Sequence, residues 1–265
     1  MGTLLQSELF RIRKRPQSWL MLILAALFVA GIYGAMAIGT FFANDANAAD
    51  LREQLAFDKL REFGLSFNSL FGGIMLAIFA AGAFGNEYSW NTIRPLLARA
   101  RSRSSLVTAK LVMVFLYGLL FTVALAALTV LVSFVTTLVA SGSWHFSGDE
   151  LGKVAAYVLG LFVTNLPYLA LAVLVGMWTK SNAAGIGVAI GISFIEPVLF
   201  LTLRSVNDVF DSIEKGGLNW NVQDVLYNWS GSQQNWISIG VLLLYTVIFV
   251  ALTYRIFLRR DVTSG

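Results

Sequence analysis

The sequence contains no cysteine and only one histidine, His145. The lack of cysteine excludes disulfide bonds, thiolate catalysis and cysteine-ligated metals. A single histidine cannot form the HExxH zinc motif, and the sequence also has no GxxxxGK[ST] phosphate-binding loop. We therefore expect no catalytic residue and no metal site in this chain, and no ATP hydrolysis by the phosphate-loop route.

Charged residues are scarce, and apolar residues take their place. Charged residues make up 13% of the 265 residues and hydrophobic residues 57%, whereas soluble domains carry about 25% charged residues. This composition predicts a polytopic membrane protein, with residues 1–265 forming a single transmembrane domain. The net charge is +4, but the basic residues are dispersed among loop ends, so we expect no nucleic-acid partner.

The apolar residues fall into six stretches, each long enough to span a bilayer at about 20 residues per helix. The predicted fold is therefore all-α with six transmembrane helices. The third stretch is too long for one upright span, so we expect it to tilt or to project from the bilayer. The six predicted spans are Trp19–Phe41, Leu65–Phe84, Leu106–Ala140, Val154–Trp178, Ala184–Leu203 and Trp236–Phe257.

The distribution of charges between the loops predicts the orientation. One side comprises both chain ends, the segment 85–110 and the turn at Lys180, and it holds 13 of the 19 Lys and Arg residues but only three acids. The opposite loops, 43–64, 141–153 and 204–235, hold six basic residues and 11 acids. Basic loops stay in the cytoplasm during insertion, so both termini are predicted to be cytoplasmic.

Residues 1–16 combine apolar residues at helical spacing with a cluster of basic residues. That pattern predicts an amphipathic helix lying in the membrane interface, with its basic residues near anionic headgroups. A frayed basic leader that only sets the orientation is the alternative. The apolar run that follows is too long for the core of a cleavable signal peptide, and we expect Pro16 to break the chain before the first span.

The loop 204–235 is too apolar for a plain hydrophilic connection. We expect two short helices, broken at Gly216–Gly217, that rest on the outer membrane surface with their Trp and Tyr residues at headgroup level. Glu196 is the one acid within a predicted span. It either reaches the external interface or pairs with Arg204, or else it lines a polar pathway.

The segment 85–105 connects the second and third spans and continues to Lys110 as GNEYSWNTIRPLLARARSRSSLVTAK. It is basic and has helical content over Thr92–Ala98, which suits a rigid element that contacts a cytoplasmic partner. Together with LLQSELFRIRKRPQSWL near the N-terminus, the segment resembles a type-2 ABC transporter permease. The matching features are an acid after a glycine at Glu87, a turn at Asn91–Thr92 and a lysine, Lys110, opening the third span. Asn91 replaces the commoner glycine, but asparagine also tolerates the left-handed conformation.

The resemblance implies a role for each part of the chain. The segment 85–105 would hold the coupling helix that docks on a separate ABC ATPase subunit, and that subunit would bind ATP and Mg²⁺. The N-terminal helix would be the connecting helix, and two copies of the permease would line a pathway for an amphipathic or apolar substrate leaving the cytoplasm. The implied docking residues are Glu87, Tyr88, Thr92, Arg94, Arg99 and Arg103. The implied pathway residues are Phe67, Phe71, Met75, Phe79 and Glu196.

Two glycines in the fifth span, Gly187 and Gly191, form a GxxxG step that lets helix backbones approach closely. The step serves either packing within the chain or contact between two copies in a homodimer.

Two other classes of function remain open from the sequence. One is a self-sufficient secondary carrier or channel, which the scarcity of buried charge disfavours. The other is a non-transporting membrane protein, such as a scaffold or an immunity protein. A stoichiometric ATPase subunit that copurifies with the chain would separate the exporter from both.

The predicted orientation can be tested by cysteine labelling, because the native chain has no cysteine. A membrane-impermeant thiol reagent added outside should label single cysteines placed at Asn47, Ser147 or Asn219. It should not label cysteines placed at Ser104 or Ser181. External labelling at position 104 contradicts the orientation.

Overall fold

The structure is a computed structural model, and it describes residues 2–42, 68–100, 102–141, 148–205, 209–228 and 230–259. Within these ranges the chain forms helices and turns without any strand. The helices are α1 Gly2–Lys14, α2 Pro16–Phe42, α3 Gly73–Ser89, α4 Ile93–Arg99, α5 Arg103–Ser141, α6 Gly148–Thr179, α7 Asn182–Arg204, α8 Val209–Glu214, α9 Leu218–Leu226 and α10 Gln233–Arg259. A π-helical turn, Asn68–Gly72, precedes α3.

Five of the described helices, α2, α5, α6, α7 and α10, are long and apolar enough to cross a membrane. They correspond to the first, third, fourth, fifth and sixth predicted spans. The predicted second span corresponds to α3 and its π-helical turn, but α3 itself has only 17 residues. The first residues of that prediction, 65–67, lie outside the described residues. The count of six spans therefore remains a prediction.

The ends of two helices agree with the sequence-based expectation. The chain is interrupted at Arg15, between α1 and α2, and Pro16 is the first residue of α2. Proline suits the first turn of a helix, since its missing N–H has no intrahelical partner there. The 39 residues of α5 correspond to a length of about 58 Å at 1.5 Å per residue, nearly twice the hydrocarbon thickness.

The chain divides into two compact units. The first unit consists of Met1–Lys14, Ile74–Gly118 and Gly160–Gly265, and the second of Arg15–Gly73 and Leu119–Leu159. In the second unit, Tyr33 of α2 is buried, and the rings of Phe28 and Phe71 lie 4.7 Å apart between their centroids. The first unit contains the segment that the sequence singles out.

Glycines bring three helices of the first unit into backbone contact. A Cβ atom on Gly85 of α3 would lie 2.6 Å from the backbone nitrogen of Asn182, where α7 begins. A Cβ atom on Gly185 of α7 would lie 2.7 Å from the carbonyl oxygen of Ala172 on α6. Small residues allow such approach between membrane helices, so α3, α6 and α7 are packed at these two points through their backbones.

The predicted GxxxG step lies elsewhere on α7. A Cβ atom on Gly187 would meet nothing within 4 Å, and one on Gly191 would meet only Ile195 of the same helix, at 3.9 Å. Neither glycine therefore makes a close contact with another described helix, and the role of the step stays a prediction. The close contact on α7 is made by Gly185 instead.

The connection from α7 to α10 contains the short helices α8 and α9, which lie on either side of Gly216 and Gly217. The hydroxyl of Tyr245 on α10 donates a hydrogen bond to the carbonyl oxygen of Gly216 at 3.1 Å. Leu218 and Val225 of α9 are buried against Leu242 of α10. These contacts fix α9 against the first half of α10.

Candidate functional site

The basic segment begins where α3 ends in a tight turn. Asn91 adopts a positive φ of 54°, a conformation that asparagine tolerates better than most residues. The backbone N–H of Thr92 donates to the carbonyl oxygen of Glu87 at 2.9 Å, which closes the end of α3. This turn redirects the chain within three residues and leaves Trp90 63% exposed.

Helix α4 follows the turn and runs from Ile93 to Arg99, close to the predicted Thr92–Ala98. Pro95 lies in its first turn, where proline removes no intrahelical hydrogen bond. Ile93 is 5% exposed and anchors the helix, whereas Arg94 and Pro95 are exposed. The helix thus buries one side of its first turn and presents a basic side chain from the other.

The start of α5 is fixed by two serines. The backbone N–H of Ser105 donates to Oγ of Ser102 at 3.1 Å, and the backbone N–H of Ser102 donates to Oγ of Ser105 at 3.2 Å. This reciprocal pair has the geometry of a capping box and satisfies two N–H groups at the helix start. It gives α4 and α5 a defined junction.

Four charged side chains from three helices form a cluster next to the turn that precedes α4. We call it the buried charge cluster, and it consists of Glu8 and Arg11 of α1, Glu87 of α3 and Lys110 of α5. The ammonium group of Lys110 pairs with Oε1 of Glu87 and donates to the carbonyl oxygen of Ala83 at 3.0 Å. It also lies 3.7 Å from Oε1 of Glu8. The guanidinium of Arg11 lies 3.1 Å from Glu8 and 3.3 Å from Glu87.

Three of the four side chains in the buried charge cluster are shielded from solvent. Glu87 is 1% exposed, Lys110 2% and Glu8 6%, whereas the side chain of Arg11 is 33% exposed. Charges removed from water require opposite charges and hydrogen bonds to compensate the lost solvation, and the two acids and two bases balance. Because each helix supplies part of this balance, α1, α3 and α5 are linked by the same interaction.

The predicted docking residues therefore divide by position. Glu87 lies inside the protein, so its carboxylate is not on the surface that a partner would contact in this conformation. Thr92 and Arg94 are exposed, and Tyr88 and Arg103 are half-buried. The side chain of Arg99 is outside the described part of the chain.

The predicted pathway residues that the structure describes make different contacts. Phe67 lies outside them, and Phe71 packs on Phe28 in the second unit. Met75 is half-buried, and Phe79 is 5% exposed and stacked on Tyr117 with 3.7 Å between ring centroids. The assignment of these residues to a pathway stays a prediction.

Glu196 has a structural partner that the sequence did not suggest. Its Oε1 accepts a hydrogen bond from the backbone N–H of Asn219 at 3.0 Å, and Asn219 lies in the first turn of α9. Gly217, the residue before α9, supplies no side-chain cap, so a carboxylate from α7 performs that role. Arg204, the expected partner of Glu196, forms an ion pair with Glu214 of α8.

Sequence reasoning missed Glu8 as a member of the site. A signal was available, because Glu8 and Glu87 are two of only three acids on the predicted cytoplasmic side. An acid in a segment that otherwise carries basic residues indicates a specific basic partner. Lys110 was predicted as one of the bases of the segment and as the residue that opens the third span, but its burial beside Glu87 was not predicted.

The long apolar helices and the basic segment below them define a multi-pass membrane protein with a structured contact element. Residues 4–196, well over half of the chain, match the family described as ABC-2 family transporter protein. The chain belongs to this family of ABC transporter permeases. Such permeases are membrane components without an ATPase of their own.

The chain is also similar to the uncharacterized protein YhcI of Bacillus subtilis (strain 168), with 26% identity over 208 residues. The similarity covers 72% of this chain and 65% of that protein. The chain therefore matches somewhat less than two thirds of its relative's length.

The buried charge cluster predicts a strong dependence of stability on charge balance. Lys110→Met or Glu87→Gln alone leaves one charge uncompensated, and removing one partner of a buried pair costs about 3–5 kcal/mol. The double variant removes one charge of each sign and retains Arg11 with Glu8. It should be less destabilised than the sum of the single variants, by roughly 0.5–3 kcal/mol.

Thermal or denaturant unfolding of the detergent-solubilised protein measures this coupling. Arg94→Gln, which removes an exposed charge on α4, is the matched control and should change stability little. If the effects of Lys110→Met and Glu87→Gln simply add, the two side chains do not interact as described.

Proposed function

We propose that this chain is the membrane-spanning subunit of an ATP-driven exporter and that α4 is its coupling helix. The observation that carries the proposal is the arrangement of α4, a basic helix whose preceding residue, Thr92, is hydrogen-bonded to the backbone of Glu87 in the buried charge cluster. Two such permease subunits would work with two copies of a separate ATPase, which would bind ATP and Mg²⁺. The cargo would be an amphipathic or apolar molecule that leaves the cytoplasm.

The surface of α4 suits docking in a groove of a partner protein. Arg94 in its first turn and Trp90 in the preceding turn are both exposed, and arginine and tryptophan are enriched among the residues that dominate protein interfaces. The helix begins in a turn closed by backbone hydrogen bonds and ends at a capped junction. A rigid contact element of this kind loses little conformational entropy when it binds.

The buried charge cluster gives the docked helix a mechanical connection to the membrane helices. The carboxylate of Glu87 forms ion pairs with Lys110 of α5 and Arg11 of α1, and its backbone carbonyl oxygen accepts a hydrogen bond from the N–H of Thr92. A force on α4 therefore reaches α1, α3 and α5 through one residue. We assign Glu87 the role of transmitting the motion of the partner rather than contacting it.

This division of roles predicts two different defects. Arg94→Glu reverses an exposed charge, so it should weaken binding of the ATPase subunit several-fold and leave the stability of the permease unchanged. Glu87→Gln should retain ATPase binding to the folded protein but reduce the stimulation of ATP hydrolysis by transport substrate. Binding is measured with purified full-length permease in nanodiscs. Coupling is measured by comparing the rate of ATP hydrolysis in the presence and in the absence of transport substrate.

Lys215→Glu, a charge reversal in the connection between α8 and α9, serves as the control for net charge and should leave ATPase binding intact. If binding and transport both survive the combination of Glu87→Ala and Arg94→Ala, α4 is not the coupling helix. If no ATPase subunit associates with the native chain, the exporter proposal itself fails.

We further propose that two copies associate through α7. Only 6% of the most apolar part of α7 is buried within the chain, compared with 61% for α6. Gly187 and Gly191 are open on this helix, and a homodimer with a two-fold axis along the membrane normal is the simplest closed arrangement. Six spans are few for enclosing a bulky cargo, whereas two copies provide twice that number.

The glycines of α7 allow the dimer to be tested separately from folding. Gly187→Leu with Gly191→Leu should leave the protomer folded, because neither position touches another helix of the described chain, but should abolish crosslinking between cysteines placed at Ser193.

Gly185→Ala is the contrasting variant. Its methyl group meets the carbonyl oxygen of Ala172 at 2.7 Å, so it should lower thermal stability by about 1–3 kcal/mol. A fully active monomer in native lipid rules out the dimer.

A further inference from the structure

The last two turns of α10 and the end of α6 form an open groove of about 450 Å³. Its lining from α10 consists of Leu252, Arg255, Ile256 and Arg259. These positions recur at helical spacing, so they share one face. Trp178 of α6 forms the other wall and is 61% exposed. The groove thus combines an apolar floor, an aromatic wall and two guanidinium groups.

Neither arginine is neutralised within the part of the chain that the structure describes. Arg255 and Arg259 are both exposed and have no carboxylate within ion-pair distance among the described residues. They differ in this respect from Arg204, which pairs with Glu214. Two positive charges on one side of an apolar groove favour a ligand that carries negative charge at one end and hydrocarbon at the other.

The groove lies at the same end of the first unit as the buried charge cluster. The hydroxyl of Tyr254 is 2.5 Å from that of Thr108, in the second turn of α5. The ring of Phe257 packs edge-to-face on Phe84 of α3 at 5.6 Å between centroids. The end of α10 is therefore level with the last turns of α3, where an apolar helix gives way to the basic segment.

This position corresponds to the headgroup region of a bilayer. Trp178 is followed by Lys180 in the turn before α7, and tryptophan concentrates at membrane interfaces. Arginines at such a level extend to the lipid phosphates, and basic pockets between membrane helices on the cytoplasmic side bind anionic headgroups. Leu252 and Ile256 alternate with the two arginines along this face of α10 and are available to an acyl chain.

We propose that this groove is a binding site for one anionic phospholipid. Arg255 and Arg259 contact its phosphate group, while Trp178, Leu252 and Ile256 contact the glycerol backbone and the upper part of an acyl chain. A bound lipid would connect the end of α6 with the end of α10 beside the buried charge cluster. The proposal requires only that the chain lies in a membrane and does not depend on the exporter function.

Native mass spectrometry of the purified full-length protein, exchanged into phosphatidylglycerol or phosphatidylcholine, measures the binding. Phosphatidylglycerol should bind more tightly to the native chain. Arg255→Gln with Arg259→Gln should reduce its affinity by about 25-fold, since each arginine near an anionic surface contributes about a fivefold gain. Lys153→Gln with Lys215→Gln removes the same net charge elsewhere and should leave the affinity unchanged. An equal loss in both double variants overturns the site.

Two further measurements identify the ligand. A photoactivatable phosphatidylglycerol should crosslink to residues 252–259 of the native protein, a result that requires no variant to fold. Soluble glycerophosphate should not displace it, because it lacks the acyl chains. Absence of the crosslink, or displacement by glycerophosphate at equal affinity, contradicts a lipid site. Loss of the lipid when the ATPase subunit binds shows that the groove is a protein interface and also overturns the proposal.

Discussion

The pairing of Glu87 with Lys110 is the interaction on which the first unit depends. Both residues are almost fully buried, so neither charge is stable there without the other. Glu87 ends α3 and Lys110 lies two turns into α5, and their attraction holds the two helices together on either side of α4. Glu8 and Arg11 extend the pair to α1, which ties an otherwise peripheral amphipathic helix to the helices that enter the bilayer.

Close backbone packing determines where this pair can form. Gly85 lies two residues before Glu87, and its missing side chain allows the start of α7 to approach α3 at a distance that no Cβ atom would permit. The same approach places the end of α3 beside the turn that joins α6 to α7. The buried charges and the glycine contacts therefore act together, since one supplies the attraction and the other removes the steric barrier.

Several features were predictable because they follow from local chemistry. Five of the six apolar runs correspond to long apolar helices, and α4 begins and ends within a residue of the predicted helical stretch. The left-handed Asn91 was also anticipated. The burial of Glu87 was not, because its partners lie 23 and 76 residues away along the chain, and composition and periodicity carry no information about such pairs. The same reason applies to Glu196, which caps a helix that begins 22 residues later.

The two exceptional acids of this protein, Glu87 and Glu196, show how a chain with few charges uses them. Glu87 lies in the last turn of α3 and pairs with Lys110 of α5 and Arg11 of α1, whereas Glu196, about two turns before the end of α7, accepts the N–H of Asn219 at the start of α9. In an apolar surrounding, a fixed charge with few competing partners specifies one arrangement more strictly than hydrophobic packing does, because misplacing it leaves an uncompensated charge. A chain built in this way suits a protein whose membrane helices must respond as a set to an event at one surface.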